Sequence, residues 1–562
     1  MKKIGLGLLA GVAATVAFAT NADAQWKRAE TPHFIIYSEE SEGRLEDFAR
    51  ELELFDGAYR IARNTPNREL DEGNKVRVFV VGTLNEVAEA AGGSRGVAGF
   101  YIPRLSGPVS VVPRVAGGNS ARGITPEVIF FHEYTHHLMY ETLYSPMPAW
   151  LREGFAEFFG TADVDVKKST VELGRPAMHR ADQLQYIKPI AMELMLSDDL
   201  DYTDYRHVTA VYAWGWQLTH YLTFEESRAG QLDAYIGGLM RGEDAIDAAK
   251  AAFGDLGRLG GEMRSYREKK LLPFVRLDVP RLDSDAVRIR DVSPGMSQAM
   301  NAYMRSQVGV SSGEEANEVM TEIRDAARAH PNDAMLQRVL AEALYDARDY
   351  DAAKQAAERA IELDPKLVDA HLYIAKIAMA RVNPPDSWEK IERDQEEAKK
   401  KAEAKKKGEA YEEPEEIEEE KPDLEPDVRY ALFQEAREHI QIARNLAPKD
   451  PEPLYMFYDT FKEEGVEPPM AALQGLIQAV QLAPYDTSAR FEGAKALMKH
   501  GNGKDAEVLL SAIAYNTHGL GQAKAARAMI DLIREGDLKA AQAIDPEDFS
   551  DDEEEEEEGA EA

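Results

Sequence analysis

Pro331 and Pro365 stand 34 residues apart, and the segment between them, "AMLQRVLAEALYDARDYDAAKQAAERAIELDP", reads as two helices. Leu340, Ala341 and Leu344 fall in the first. Ala353 and Ala360 fall in the second, where small residues allow close helix packing, and Pro365 stops it. The second half of this unit recurs twice. "FQEAREHIQIARNLAP" places Ala436, Ala443 and Pro448, and "MAALQGLIQAVQLAP" places Ala472, Ala479 and Pro484. Three copies in register define a period rather than a composition. The chain after about Val292 is therefore expected to be all-helical.

Pro365 and Pro448 stand 83 residues apart, 49 more than one period, and the excess falls on the charged stretch from about Pro384 to Asp427. An insertion there splits one repeat between its two helices. Its "EKIERDQEEAKKKAEAKKK" reads as a lone charged helix followed by a Glu-rich coil. Such a segment buries little, so its deletion should leave the stack intact. The repeat resembles the tetratricopeptide family, which implies a stacked superhelix with a groove for peptides or partner proteins. A scaffold that only stabilises or spaces the preceding domain is the alternative.

At 562 residues the chain is long enough for two or three domains. Lys2 and Lys3, an apolar run from Ile4 to Ala19 and the small-x-small pattern Ala22-Asp23-Ala24 make an export signal. The expected mature protein begins at Gln25 and is periplasmic or secreted. No cysteine follows the signal for lipid attachment, and no later segment is apolar for long enough to span a bilayer. The complete lack of cysteine also removes disulfides, thiol nucleophiles and thiolate ligands, so any metal must be held by His, Asp or Glu. The net charge of -35 argues against nucleic acid as a partner. Much of it sits in the insertion and in the tail Asp545–Ala562, where twelve acids occur without Lys or Arg. The expected division is a signal at 1–24, a first domain at 25–290, repeats at 291–544 with the insertion at 384–427, and a solvated tail at 545–562.

The first domain alternates strand and helix signals. "HFIIYS" and "VRVFVV" read as strands, each followed by a helical stretch. "GVAGFYI" and "GPVSVVP" read as two more strands, and the segment from Asp201 to Tyr266 as helices. Between them lies "FHEYTHHLMYETLYSPMPAWLREGFAEFF". His132 and His136, four residues apart, share one helical face and can reach one ion, with Glu133 beside that face. Thr125 and Pro126 suit the start of this helix. Two His leave a zinc ion short of one protein ligand. Glu153 follows His136 after sixteen residues, enough for the chain to turn through "SPMP" and return a second helix antiparallel to the first. Glu157, one turn further, could fix the tautomer of a ligating His. Trp150, Leu151, Phe155, Phe158 and Phe159 predict that this helix is buried, and buried carboxylates need a cation.

"HEYTH" followed by "WLREGFAEFF" resembles the gluzincin metallopeptidases, above all the peptidase MA-like domains of exported bacterial proteins, over about Val76 to Tyr221. The second string is also similar to the zinc aminopeptidases. The resemblance implies an α+β zincin-like metallopeptidase domain, followed here by an all-α tetratricopeptide superhelix. It implies Zn2+ held by His132, His136 and Glu153, with Glu133 as general base and Glu157 behind the ligands. The interval to Glu153 is slightly shorter than in the aminopeptidases, which keeps Glu157 open as the alternative ligand. Their G-x-M-E-N segment, which holds a free substrate amine, is absent, and the region "GVAGFYIPRLSGPVSVVPR" offers no acid, so exopeptidase action is disfavoured. Gluzincins also imply an edge strand along the substrate, here "VAGFYI" or "VSVVP", and an oxyanion donor from a later helix, here Tyr212, with His207 and Tyr221 as rivals. The expected function is thus an exported zinc endopeptidase acting on protein or peptide, with a protein partner at the repeat groove. The alternatives are a periplasmic interaction scaffold whose protease-like domain is non-catalytic, and a hydrolase of some non-peptide amide.

Overall fold

The computed structural model describes residues 25–68, 70–92, 99–114, 124–142, 147–197, 200, 204–407, 411, 422–514, 520–546 and 549. The expected signal and most of the acidic tail lie outside the described residues.

The N-terminal part is built on a six-stranded mixed sheet in the order β4-β5-β3-β2-β1-β9. Its strands are β1 (Lys27–Glu30), β2 (Phe34–Ser38), β3 (Val76–Val81), β4 (Phe100–Ile102), β5 (Val109–Pro113) and β9 (Arg288–Asp291). The central trio β2, β3 and β5 is parallel, whereas β4 runs antiparallel to β5 and β1 antiparallel to both β2 and β9. A second, antiparallel sheet joins β6 (Asp163–Asp165), β7 (Thr170–Leu173) and β8 (Val275–Asp278).

The parallel strands are buried on both faces, which is why their sequences are near-continuous apolar runs. Phe34, Ile36, Val76 and Val78 face a core completed by the helices α1 (Glu42–Arg63), α3 (Pro126–Thr142) and α4 (Ala149–Gly160). With the period of two that a strand imposes, Ile35, Tyr37, Phe79, Val81, Val109 and Val111 face the other way. There they meet Val87 and Ala90 of α2 (Leu84–Ala90) and Met296, Met300 and Tyr303 of the helix Pro294–Val308. The first helix of the C-terminal half therefore roofs the sheet, and the two halves share one core.

From Pro294 onward the described residues form helices only, a tetratricopeptide-like array in which each helix packs on the next. Ala353, Ala360, Ala436, Ala443, Ala472 and Ala479, the small residues of the repeat, are all fully buried between helices. The helices Val368–Val382 and Pro426–Leu446 pack against each other across the charged insertion that separates them in sequence. The insertion itself corrects the reading of a segment that packs on nothing. Its helix Trp388–Lys407 docks by its first turn, where Trp388 Nε1 donates to the Asp346 carbonyl at 2.8 Å and Arg348 stacks over the indole at 5.3 Å. The Gly313 N–H donates to Glu392 at 2.9 Å. A tryptophan among charged residues was the sign that this end is anchored.

Candidate metal centre

The site is assembled by two helices that approach closely enough to need glycine. α3 starts where expected, with Pro126 in its first turn and the Thr125 hydroxyl accepting from the Val128 N–H at 3.3 Å. Phe131 stacks on Phe55 of α1 at 4.1 Å, which seats the helix on the core. α4 is buried along its whole length. A Cβ on Gly160 would stand 3.2 Å from the Val128 carbonyl oxygen and 3.3 Å from His132 Cβ. On its other side α4 crosses the helix Gly215–Phe224 at a glycine pair, where a Cβ on Gly154 would lie 2.5 Å from the Gly215 oxygen. The glycine in "WLREGFAEFF" is thus a contact requirement, and it sets Glu153 against α3 on one side and the Tyr212 segment on the other.

His132 Nε2, His136 Nε2 and a Glu153 carboxylate oxygen form a triangle with sides of 3.3 Å. They are the one group of three or more candidate metal donors among the described residues. Donors bound tetrahedrally at about 2.0–2.1 Å from a zinc ion stand roughly 3.3 Å apart, so the separation and the nitrogen and oxygen donor set both fit such an ion. Glu153 is fully buried and His136 nearly so. The two imidazoles face the same carboxylate, yet their surroundings shift them in opposite directions. Burial works against charge on His132, yet its hydrogen bond to Glu153 and the charges of Glu157 and Glu133 prevail and hold its pKa up at about 9. His136 is pushed down, by burial first and also by His132, against the pull of Glu153.

Glu157 lies one turn beyond Glu153 and behind the triangle. One of its oxygens is 3.5 Å from His132 Nδ1, and the carboxylate also accepts from Arg180 Nη2 at 2.7 Å and meets His179 Nε2 at 2.8 Å. Burial opposes its ionisation, but His179 and Arg180 hold its pKa down at about 2, so it remains an anion that can fix the His132 tautomer. His179 and Arg180 come from the short turn Met178–Arg180, at no spacing a helix or strand pattern would flag, and sequence reasoning missed both.

Tyr212 sits in a π-helical turn, Ala210–Trp214, with its ring near-parallel to that of His132 at 6.1 Å between centroids and under Arg180 at 4.9 Å. Burial and the charges of Glu153 and Glu133 push its pKa well up, so it keeps its hydroxyl proton. Of its rivals, Tyr221 turns away, its hydroxyl donating to Glu262 at 3.0 Å. His207 lies in the helix Tyr205–Thr209, beside Asp204. Glu133 is half-buried next to the three candidate donors, and its charge acts on His132, Tyr212 and Tyr101. The edge strand alongside α3 is β4, since β5 is paired on both sides; this removes "VSVVP" from the two candidates.

Residues 128–238 match the family described as "Protein of unknown function (DUF1570)". The matched span takes in both His, Glu153, Glu157, Arg180 and Tyr212. Among solved structures, that of YrrB, described as a TPR protein with an unusual peptide-binding site, is similar at 17% identity and a TM-score of 0.25, covering 42% of this chain and 95% of that one. No curated protein matches the chain.

Proposed function

We propose that this chain is an exported zinc metallopeptidase, with a zincin-like domain of the gluzincin type acting as an endopeptidase, and with its helical array recruiting or presenting protein. The observation that carries the reading is the triangle of His132, His136 and Glu153 with Glu133 adjacent to it. Among the described residues the group has three protein donors, the composition of catalytic rather than structural zinc sites. When bound, zinc would supply Lewis acidity, polarising a peptide carbonyl and acidifying water.

The chain's own residues supply the rest. Glu133, beside the ligands and not among them, takes the proton of the attacking water and delivers it to the nitrogen of the leaving amine. The Tyr212 hydroxyl, kept protonated by its surroundings, donates to the carbonyl oxygen as negative charge develops there. Glu157 orients His132 through Nδ1. An extended peptide adds to β4, an edge strand of the sheet among the described residues, by main-chain pairing, which recognises any sequence and suits cleavage within a chain.

The test is Glu133→Gln in the full chain, assayed for cleavage of blocked peptides and unfolded protein. This variant should keep its fold and its zinc and lose about 10²–10⁴-fold in chelator-sensitive turnover. Undiminished cleavage in this variant would remove Glu133 from the mechanism, and a wild type that binds zinc and cleaves nothing would make the ion structural and the chain an interaction protein.

A further inference from the structure

The turn joining β4 to β5 does not end in solvent. It meets the helical array at two places far apart in sequence. Arg104 donates to the Val308 carbonyl at the end of the array's first helix. Arg77, on β3, donates through Nη1 to the Ser106 carbonyl at 2.8 Å and to Gln307 of that helix at 3.3 Å. From a later part of the array, the Asp486 carboxylate faces the Leu105 backbone N–H, which acts to lower its pKa against burial, while it caps the helix Thr487–Lys499 through the Ala489 N–H at 2.7 Å. Gly107, at φ +103°, closes the turn against the loop before β3, where a Cβ would stand 2.7 Å from the Gly73 oxygen.

The residue before Asp486 reaches further in. Tyr485 is 1% exposed, and its hydroxyl donates to Asn74 Oδ1 at 2.5 Å. Its ring packs on His137 of α3 at 4.7 Å between centroids. His137 Nδ1 in turn lies 2.6 Å from the Tyr101 hydroxyl, and Tyr101 is the middle residue of β4. Adjacent residues of the array thus touch the turn that carries β4, and the rear of the helix that carries His132 and His136.

We propose that Tyr485 and Asp486 are positioning residues for the candidate metal centre, forming a latch by which the array sets the edge strand β4 relative to α3. The array is then part of the substrate site and not only a recruiting module. The proposal rests on the peptidase reading in taking β4 as the strand that substrate pairs with, but the contact itself is tested without any substrate.

The experiment is hydrogen–deuterium exchange of the full chain, comparing Asp486→Ala with Asp537→Ala. Asp537 caps another array helix through the Ala540 N–H at 2.9 Å and does not touch the hairpin, so it controls for the lost cap. Exchange at Phe100–Ile102 should rise about five- to tenfold in Asp486→Ala, the weight of one hydrogen bond, and stay unchanged in Asp537→Ala. Equal exchange at β4 in both variants and the wild type overturns the latch. Where the wild type cleaves peptide, Asp486→Ala should raise KM by a similar factor with kcat within about twofold; a loss confined to kcat also overturns it. A rise in β4 exchange in a wild-type background that cleaves nothing supports the latch and refutes the peptidase reading.

Discussion

Glu153 and Glu157 are both buried carboxylates on one face of α4, and their partners divide the labour between them. Glu153 meets two imidazole nitrogens at 3.3 Å, whereas Glu157 is committed to His179, Arg180 and the far nitrogen of His132. Glu153→Ala should therefore abolish metal binding, while Glu157→Ala should weaken it by about 10–100-fold, as read by competition with a chromogenic chelator. The reverse order of effects would exchange the two roles. A second buried group makes stability depend on pH. His33 lies under α1 with Nδ1 2.8 Å from Glu53, beside Asp56. Burial disfavours its charge, but Asp56 and Glu53 outweigh it and hold its pKa up at about 9, against an ordinary value near 6.5. Its folded-state pKa is raised, so its contribution is complete below about pH 6.5 and is lost as pH rises through 9. Thermal melts of the wild type should show stability falling across that window, and His33→Gln should flatten the fall.

At the scale of elements, the glycine crossing is the sharpest constraint. Gly154→Ala forces a methyl to within 2.5 Å of the Gly215 oxygen, so it should cost about 1–3 kcal/mol or more in a denaturant melt. Gly43→Ala in the first turn of α1 meets nothing within 4 Å and should be neutral or slightly stabilising. The same elements show what a sequence reveals. β2, β3 and β5 were legible because burial on both faces demands continuous apolar runs. β1 and β9 were not: "KRAE" and "RIRD" are charged, and they are strands because they pair with each other and β1 also pairs with β2. The pair of helices bearing His132, His136, Glu153 and Glu157 was legible because helical spacing fixes which residues share a face. Tyr212 could be guessed only as one of three, since its orientation depends on a π-helical turn that no periodicity encodes. Arg180 and His179 arrive from a short turn whose position is set by tertiary packing alone.

Over the whole molecule, the array meets the N-terminal part at two separate places, through the helix Pro294–Val308 roofing the strands and through Tyr485 reaching Asn74 and His137. The repeat period announced the helices, but not this closure, which depends on single side chains at Arg104, Tyr485 and Asp486. The insertion belongs to the same scale. Because Trp388 is seated on Asp346 and Arg348, Trp388→Ala should cost about 1–3 kcal/mol, and removal of 386–422 should lower the melting temperature instead of leaving it unchanged. The central claim is that one such molecule holds one zinc ion through His132, His136 and Glu153. Element-resolved mass spectrometry of full-length protein, purified without chelator, tests it most directly: about one zinc per chain in the wild type and in Glu133→Gln, and close to none in Glu153→Ala. A wild type without stoichiometric metal, or a Glu153→Ala variant that keeps it, would contradict the account.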